Sequence, residues 1–535
     1  MQVTPPAGLG GRRFAWAAAA VVILSAAAHG NTLACGFAYD DEFVVVSNDI
    51  VTDPGNLARI FTTTWWGSHA SKSPSTGYRP LTILSFHIDH RIAGSDPRWY
   101  HAVNVMLHAA ASVLVLLLAG LVTRDALASI IAAGLFSLHA VHTEAVASIV
   151  GRAEILSAIF VLGALSMHVA LPRSRLGWRG APLCAILFLA GLLSKESAIA
   201  LPLIAIAADT ILIGGEMRSA QGAPGYRKVI ASVLPYHGAY AAALAAFLAL
   251  RLHLLGSISP AVSVHFMDNP ATALTPLERI PASVLLFGKA VQLLLVPAQL
   301  SSDYGYDQLA VGRPFSSMLF YVGIVALGSI AAAVACFHRK HPSISFSAAF
   351  VPLAYLPVAN LLLPIHTVFG ERTLYTPSMG MCLAAGAAAA ILLRQGRART
   401  AAAAVLALYA ALLGLRTVMR NSDWRNDYSL TSADVVASPR SVRLLNNHAN
   451  ELMRLGRPKE ACAQLEKAIS ILDTVPSINA NLGLCYLKMG RAEDAIAIFE
   501  SVLAEEPANP VAARHLPIAR EMAGASAVDT DGHLQ

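Results

Sequence analysis

The feature that most constrains this chain is a succession of long apolar stretches across its first four hundred or so residues. A helix needs ~20 mostly apolar residues to cross a bilayer. Candidate stretches fall at 14–34, 102–122, 126–141, 153–171, 181–193, 198–213, 229–255, 317–337, 344–364, 377–393 and 400–416, those at 126–141 and 181–193 being short for a span. Hydrophobic residues make up 55% of the 535, and charged residues 13%. Ordinary soluble domains carry roughly 25% charge, and intrinsic disorder needs low hydrophobicity. Both classes are excluded. The pattern predicts an all-α, polytopic membrane bundle of about eleven spans.

Charge placement predicts the orientation, because short cytoplasmic loops collect Lys and Arg. Arg12 and Arg13 precede the first span, which puts the N-terminus in the cytoplasm. Arg124, then Arg173, Arg175 and Arg179, then Arg218, Arg227 and Lys228 follow on that side. Arg339 and Lys340, and later Arg394, Arg397 and Arg399, reach it only if the apolar stretch 281–297 does not cross. A re-entrant or interfacial helix is therefore expected there, with the C-terminus outside. The other reading of residues 1–35 is a cleaved leader, with Arg12-Arg13 as a twin-arginine pair and Ala26-Ala27-Ala28 as the cleavage site. The net charge of +6 thus describes orientation in a bilayer, and no nucleic-acid partner is expected. Cys35, Cys184, Cys336, Cys382, Cys462 and Cys485 show no metal spacing and imply no disulfide framework. Whether Cys462 and Cys485 pair is left open.

Past residue 417 the composition becomes that of a soluble domain, giving a membrane domain over 1–417 and a tail over 418–535. Leu455-Gly456-Arg457 and Met489-Gly490-Arg491 lie 34 residues apart, the tetratricopeptide period. Leu482-Gly483-x2-Tyr486, Ala495-x3-Phe499 and Pro507 match that repeat's pattern. Small residues at Gly483 and Ala495 let paired helices approach, while Tyr486 and Phe499 fill the gaps. A short α-solenoid with clear repeats over 443–510 is expected. Residues 424–438 would supply a preceding half-repeat and 510–523 a cap. The first repeat's second helix is expected to carry about three extra residues before Pro476. The array reads either as a scaffold or as a docking surface for a protein.

Ionisable residues in or beside spans are costly and point to function. On the expected outer face they cluster. The long first outer loop (36–100) opens with Asp40, Asp41 and Glu42. Adjacent carboxylates repel, which can leave one with a raised pKa, fit to act as a base; a solvated acidic helix start is the alternative. Trp65 and Trp66 suit a membrane interface. Arg79 is a candidate phosphate clamp, since guanidinium makes bidentate contacts to phosphate. His139, His142 and Glu144 form a group that can bind metal, hydrogen-bond or touch substrate. Arg152 and Glu154, Lys195 and Glu196, and Glu371 and Arg372 complete the set. Acids and bases on one membrane face suit a site where an anionic lipid headgroup meets a base.

These residues resemble the transmembrane and tetratricopeptide-repeat (TMTC) proteins, which look like GT-C-fold glycosyltransferases. The resemblance rests on Asp40-Asp41-Glu42, Tyr78-Arg79-Pro80-Leu81, Asn104 with His108, His139-x-x-His142-Thr143-Glu144, Gly151-Arg152-Ala153-Glu154, Leu193-Ser194-Lys195-Glu196 and Glu371-Arg372-x-Leu374-Tyr375. It implies transfer of a sugar, typically mannose, from a polyprenyl- or dolichyl-phosphate carrier to a Ser/Thr hydroxyl outside the cytoplasm. It implies a base at Asp40 or Asp41, with Asp41 preferred, followed by Glu42. Arg79, His139, His142, Glu144, Arg152, Glu154, Lys195, Glu196, Glu371 and Arg372 would bind substrate. No cofactor is required for that chemistry, although a divalent metal is compatible with it. The resemblance departs from the family at Ala140, where a proline is usual, and in the short repeat array, which fits a bacterial member. The site would then be an inner membrane with periplasmic repeats, or the endoplasmic reticulum in a eukaryote. A transporter or flippase of a charged or lipid-linked substrate, and a membrane-anchored repeat scaffold, are the competing readings.

Overall fold

In the computed structural model, residues 10–531 are described apart from 68, 70–76, 172–176, 214–225, 257–263 and 396–398. Arg173, Arg175, Arg218 and Arg397 lie outside the described residues, as do the side chains of Arg227 and Lys228. The regular secondary structure of the described residues is helical, with no strand among them. The longer helices of the membrane body are α1 (Gly11–His29), α2 (Pro80–Ala93), α3 (Pro97–Thr123), α4 (Ala126–Leu138), α5 (Arg152–Ala170), α6 (Ala181–Ser194), α7 (Leu201–Ala208), α8 (Tyr226–Leu255), α9 (Pro276–Leu295), α10 (Met318–Phe337), α11 (Pro342–Tyr355), α12 (Tyr375–Leu393) and α13 (Arg399–Asp423).

Among the described residues, eight helices are long and apolar enough to cross a membrane. There are nine if Ala126–Leu138 and Ala140–Val146, bent by 48°, count as one span. The expectation of about eleven is higher because two apolar stretches fold into shorter pieces. Over 198–213 the chain runs through a 3-10 turn, α7 and a π-helical turn, with Pro202 in the first turn of α7. Over 344–364 it forms α11, which carries Pro352, and a 3-10 turn with Pro357. Proline withholds an N–H and ends or kinks regular helix.

The helix over the stretch with contested crossing, α9, starts at a capping box in which Thr275 and Glu278 satisfy each other's N–H groups. Its flanks return to one end of the bundle. Before it, Asn269 bonds the Asn360 side chain and the Ile365 carbonyl. After it, Ser301 donates its N–H to Glu371. It crosses α10 closely: a Cβ at Gly288 would lie 1.9 Å from the Leu319 carbonyl oxygen. Only glycine permits that approach.

The tail forms α14 (Asp427–Ala437), α15 (Val442–Arg454), α16 (Pro458–Ile471), α17 (Pro476–Lys488), α18 (Ala492–Glu505) and α19 (Pro510–Asp531). Gly483 has the close approach its position in the repeat demands, since a Cβ there would meet Phe499 at 2.7 Å. The expectation of extra residues before Pro476 is corrected. Helices α16 and α18 both have 14 residues, and the counterpart of Pro476 is Pro510, not Pro507. Cys462 and Cys485 form a disulfide between α16 and α17. The tail is docked on the body. Asp434 pairs with Arg420 at 2.7 Å, and the N–H of Val442 donates to the Tyr306 carbonyl.

Candidate functional site

A cavity of about 680 Å³ opens at the end of the bundle where the tail docks. Its walls come from far-apart segments: the long loop after α1, the α6–α7 junction, the stretches near 268, 302 and 366, the entry to α12, and the first residues of α15. Each is a helix end or a loop, where side chains can face a ligand while helices behind hold them.

The long loop after α1 contributes Asp40. Tyr39, just before it, has a positive φ of 61°, a conformation that costs energy for a residue with a Cβ. The turn is held by the tail, because Asp427 accepts the Tyr39 N–H at 2.7 Å. One consequence is that Asp40 and Asp41 part company. Asp40 is partly buried and lines the cavity. Asp41 is fully buried and accepts backbone N–H groups of Ala38, Ile149 and Val150 at 3.2, 3.3 and 2.9 Å. Burial pushes its carboxyl up to about 7 against the pull of those hydrogen bonds. Asp41, the carboxylate preferred from the resemblance, therefore ties the first loop to the start of α5 and does not line the cavity. Glu42 is exposed, opens a short π-helical turn and does not line it either.

Among the described residues, the cations Arg79, Lys195, Arg372 and Arg443 line the cavity. Arg79 stacks over Trp65 at 4.1 Å and pairs with Glu196 at 3.1 Å. Burial would raise Glu196, but Arg79 and Arg251 outweigh it and hold the carboxyl down to about 2. Lys195 pairs with Glu154, which is buried behind it. Burial brings the Lys195 ammonium down to about 8, with Glu154 opposing the shift. Arg372 pairs with the buried Glu144 at 3.2 Å, and Glu144 also accepts the Arg372 N–H. Arg443 belongs to the tail and pairs with Asp268 at 3.1 Å. Tyr39, Asp303, Asp268 and Asp40 keep its guanidinium firmly charged against burial.

The remaining expected site residues lie behind the wall. His139 bonds the Leu294 carbonyl at 2.9 Å through Nε2 and accepts the Val141 N–H. His142 bonds Ser378 at 2.8 Å. Its ring lies 5.3 Å from that of His108, which bonds the Tyr375 hydroxyl. Arg152 is fully buried, ion-paired to Asp89 and bonded to Asn104 at 2.7 Å and to the Tyr100 carbonyl. Glu371 accepts the Ser301 N–H and the Tyr304 hydroxyl. Since Glu144 turns to Arg372, the structure does not gather His139, His142 and Glu144 into a ligand set.

Several cavity residues were not singled out from the sequence: His69, Asp268, Asp303, His366 and Arg443. Their only signal was polarity inside loops already assigned to the outer face. For Arg443, placed on a repeat helix, there was none.

The fold and the cavity together define a multi-pass integral membrane protein with a charged site at one end of its bundle and tetratricopeptide repeats docked over it. The tetratricopeptide repeat profile matches residues 452–516. Mouse "Protein O-mannosyl-transferase TMTC3" is 27% identical over 90% of this chain and 54% of its own length. The fruit-fly protein O-mannosyl-transferase Tmtc3 is 28% identical over 91% and 59%, and the fruit-fly Tmtc1 is 30% identical over 84% and 61%. The chain is a homologue of the TMTC proteins, and it spans a little over half the length of the curated relatives it matches. No solved structure matches it significantly.

Proposed function

We propose that this chain is a membrane glycosyltransferase that moves a sugar from a polyprenyl-phosphate carrier to a hydroxyl group of a protein. The relatives' printed names, protein O-mannosyl-transferases, support a mannose-like sugar and O-linked transfer. The observation that carries the reading is the juxtaposition of the Asp40 carboxylate with Arg79, Lys195, Arg372 and Arg443 in a single cavity at a membrane protein's end, where Glu196 and Asp268, which also line it, are ion-paired to Arg79 and Arg443.

The mechanism is a single displacement with inversion. The acceptor oxygen attacks the anomeric carbon as Asp40 takes the hydroxyl proton. The bond from that carbon to the carrier phosphate breaks, and the phosphate leaves with its electron pair and negative charge. Arg372 and Lys195, fixed by Glu144 and Glu154, and Arg443 and Arg79 stabilise that charge where it grows. Glu196 keeps Arg79 in place and is a positioning residue. The cavity faces away from the cytoplasm, following the basic loops, and the repeats present the acceptor protein.

Purified protein is incubated with polyprenyl-phosphate mannose and Ser/Thr-containing acceptor peptides, and the peptides are weighed by mass spectrometry. Gain of one hexose, dependent on donor and protein, is the expected outcome. Unmodified peptides, with the lipid-linked sugar moved intact across reconstituted vesicles, would instead identify a flippase.

A further inference from the structure

At the other end of the bundle a second polar group stands apart from the cavity. Helix α5 begins beside it with Glu154 and ends near His168, 14 residues and roughly 21 Å further along at 1.5 Å per residue. There, three elements converge. His168 Nε2 lies 3.1 Å from one oxygen of Asp209, and His237 Nε2 lies 2.6 Å from the other. All three ligand atoms are within 4.8 Å of one another. His168 comes from α5, Asp209 from the π-helical turn after α7, and His237 from α8.

We propose that His168, Asp209 and His237 form a binding site for a divalent transition-metal ion of the zinc class. Two imidazoles and one carboxylate are the donor set such ions prefer, with bonds of about 2.0–2.2 Å. Ligands in that geometry sit about 3.3 Å apart, so small side-chain shifts bring these three around one ion. Both imidazoles already aim the same nitrogen at the same carboxylate. A support for the ligands is also present. His168 Nδ1 faces the Tyr240 hydroxyl at 3.4 Å, and the two rings stack. A partner on the second ring nitrogen fixes which nitrogen is free for metal. Asp209 and His237 remain partly exposed, with 12% and 24% of their side chains accessible, which leaves an entry path and a coordination position for water. Bound there, the ion clasps α8 to α5 at the end remote from the cavity. The site is structural and independent of the transfer reaction.

The test uses full-length protein in nanodiscs, stripped with chelator and then dialysed against zinc or titrated with cobalt(II). The expected result is one zinc per chain by elemental analysis and the visible absorption band of four-coordinate cobalt. His237→Gln, at the most exposed ligand, should lose that equivalent and the band while unfolding at the temperature of chelator-treated wild type. Tyr240→Phe should weaken binding by about 10–100-fold. Wild type with no zinc above background, or His237→Gln with the wild-type content and band, would overturn the proposal.

Discussion

Two layers of charge meet at the end of the bundle, and they behave differently. In the cavity wall, Asp40, Arg79, Lys195, Arg372 and Arg443 face open volume. Behind them, Asp41, Arg152, Glu144, Glu154, Glu371 and the histidines 139 and 142 are buried, and each bonds or pairs with protein neighbours. Asp40 and Asp41 are adjacent in the chain yet belong to different layers. The same is true of Glu371 and Arg372. The lesson is that an ionisable residue at a span end has two uses: meeting a ligand, or holding in place the residue that does. Glu144 holds Arg372 and Glu154 holds Lys195. An isolated buried charge is costly unless paired, so each cation of the wall has its counter-ion in the layer behind or beside it.

Substitutions that separate the layers break or sharpen this comparison. The largest effect is expected at Asp40. Asp40→Asn should lower the transfer rate by about 10²–10⁴-fold, the usual contribution of a general base, with thermal unfolding unchanged. Arg152→Ala should do the reverse. Removing one partner of a buried pair costs about 3–5 kcal/mol, so unfolding in detergent or nanodiscs should move sharply down while the folded fraction keeps its KM for donor. Arg443→Ala removes one charged contact, worth about 1.5 kcal/mol, and should raise the donor KM roughly tenfold with the body's stability intact. An unchanged KM would remove the tail from the site. The smallest effect is the pH response of Lys195. Its folded pKa is lowered to about 8, so its positive charge is present below that pH and lost as pH rises through it. Donor affinity should fall over that window by less than about tenfold. Lys195→Arg, which stays charged, should remove the fall.

Much of this was legible in the sequence. The polytopic helical body, though not its number of spans, followed from length and hydrophobicity, and Gly483 and Phe499 announced the repeat because close helix packing needs a small residue facing a large one. The end of the bundle that carries the cavity was legible too, since Asp40, Arg79, Lys195 and Arg372, which line it, all sit at span ends. What was not legible is which of two adjacent charges faces the cavity. Periodicity gives no answer in a loop, and the choice between Asp40 and Asp41 depends on a positive φ at Tyr39 held by Asp427, nearly four hundred residues away. Arg443 was hidden for a similar reason: its helix was predicted, but its reach into the cavity comes from how the tail docks.

The central claim is that the lipid phosphate lies in this cavity. The most direct measurement is photo-cross-linking with a photoreactive polyprenyl-phosphate analogue, followed by peptide mapping. Labelling of peptides carrying Lys195, Arg372 or Arg443, competed away by polyprenyl-phosphate mannose, is the predicted result. Competable labelling confined to the α9–α10 face, with none on those peptides, would contradict it.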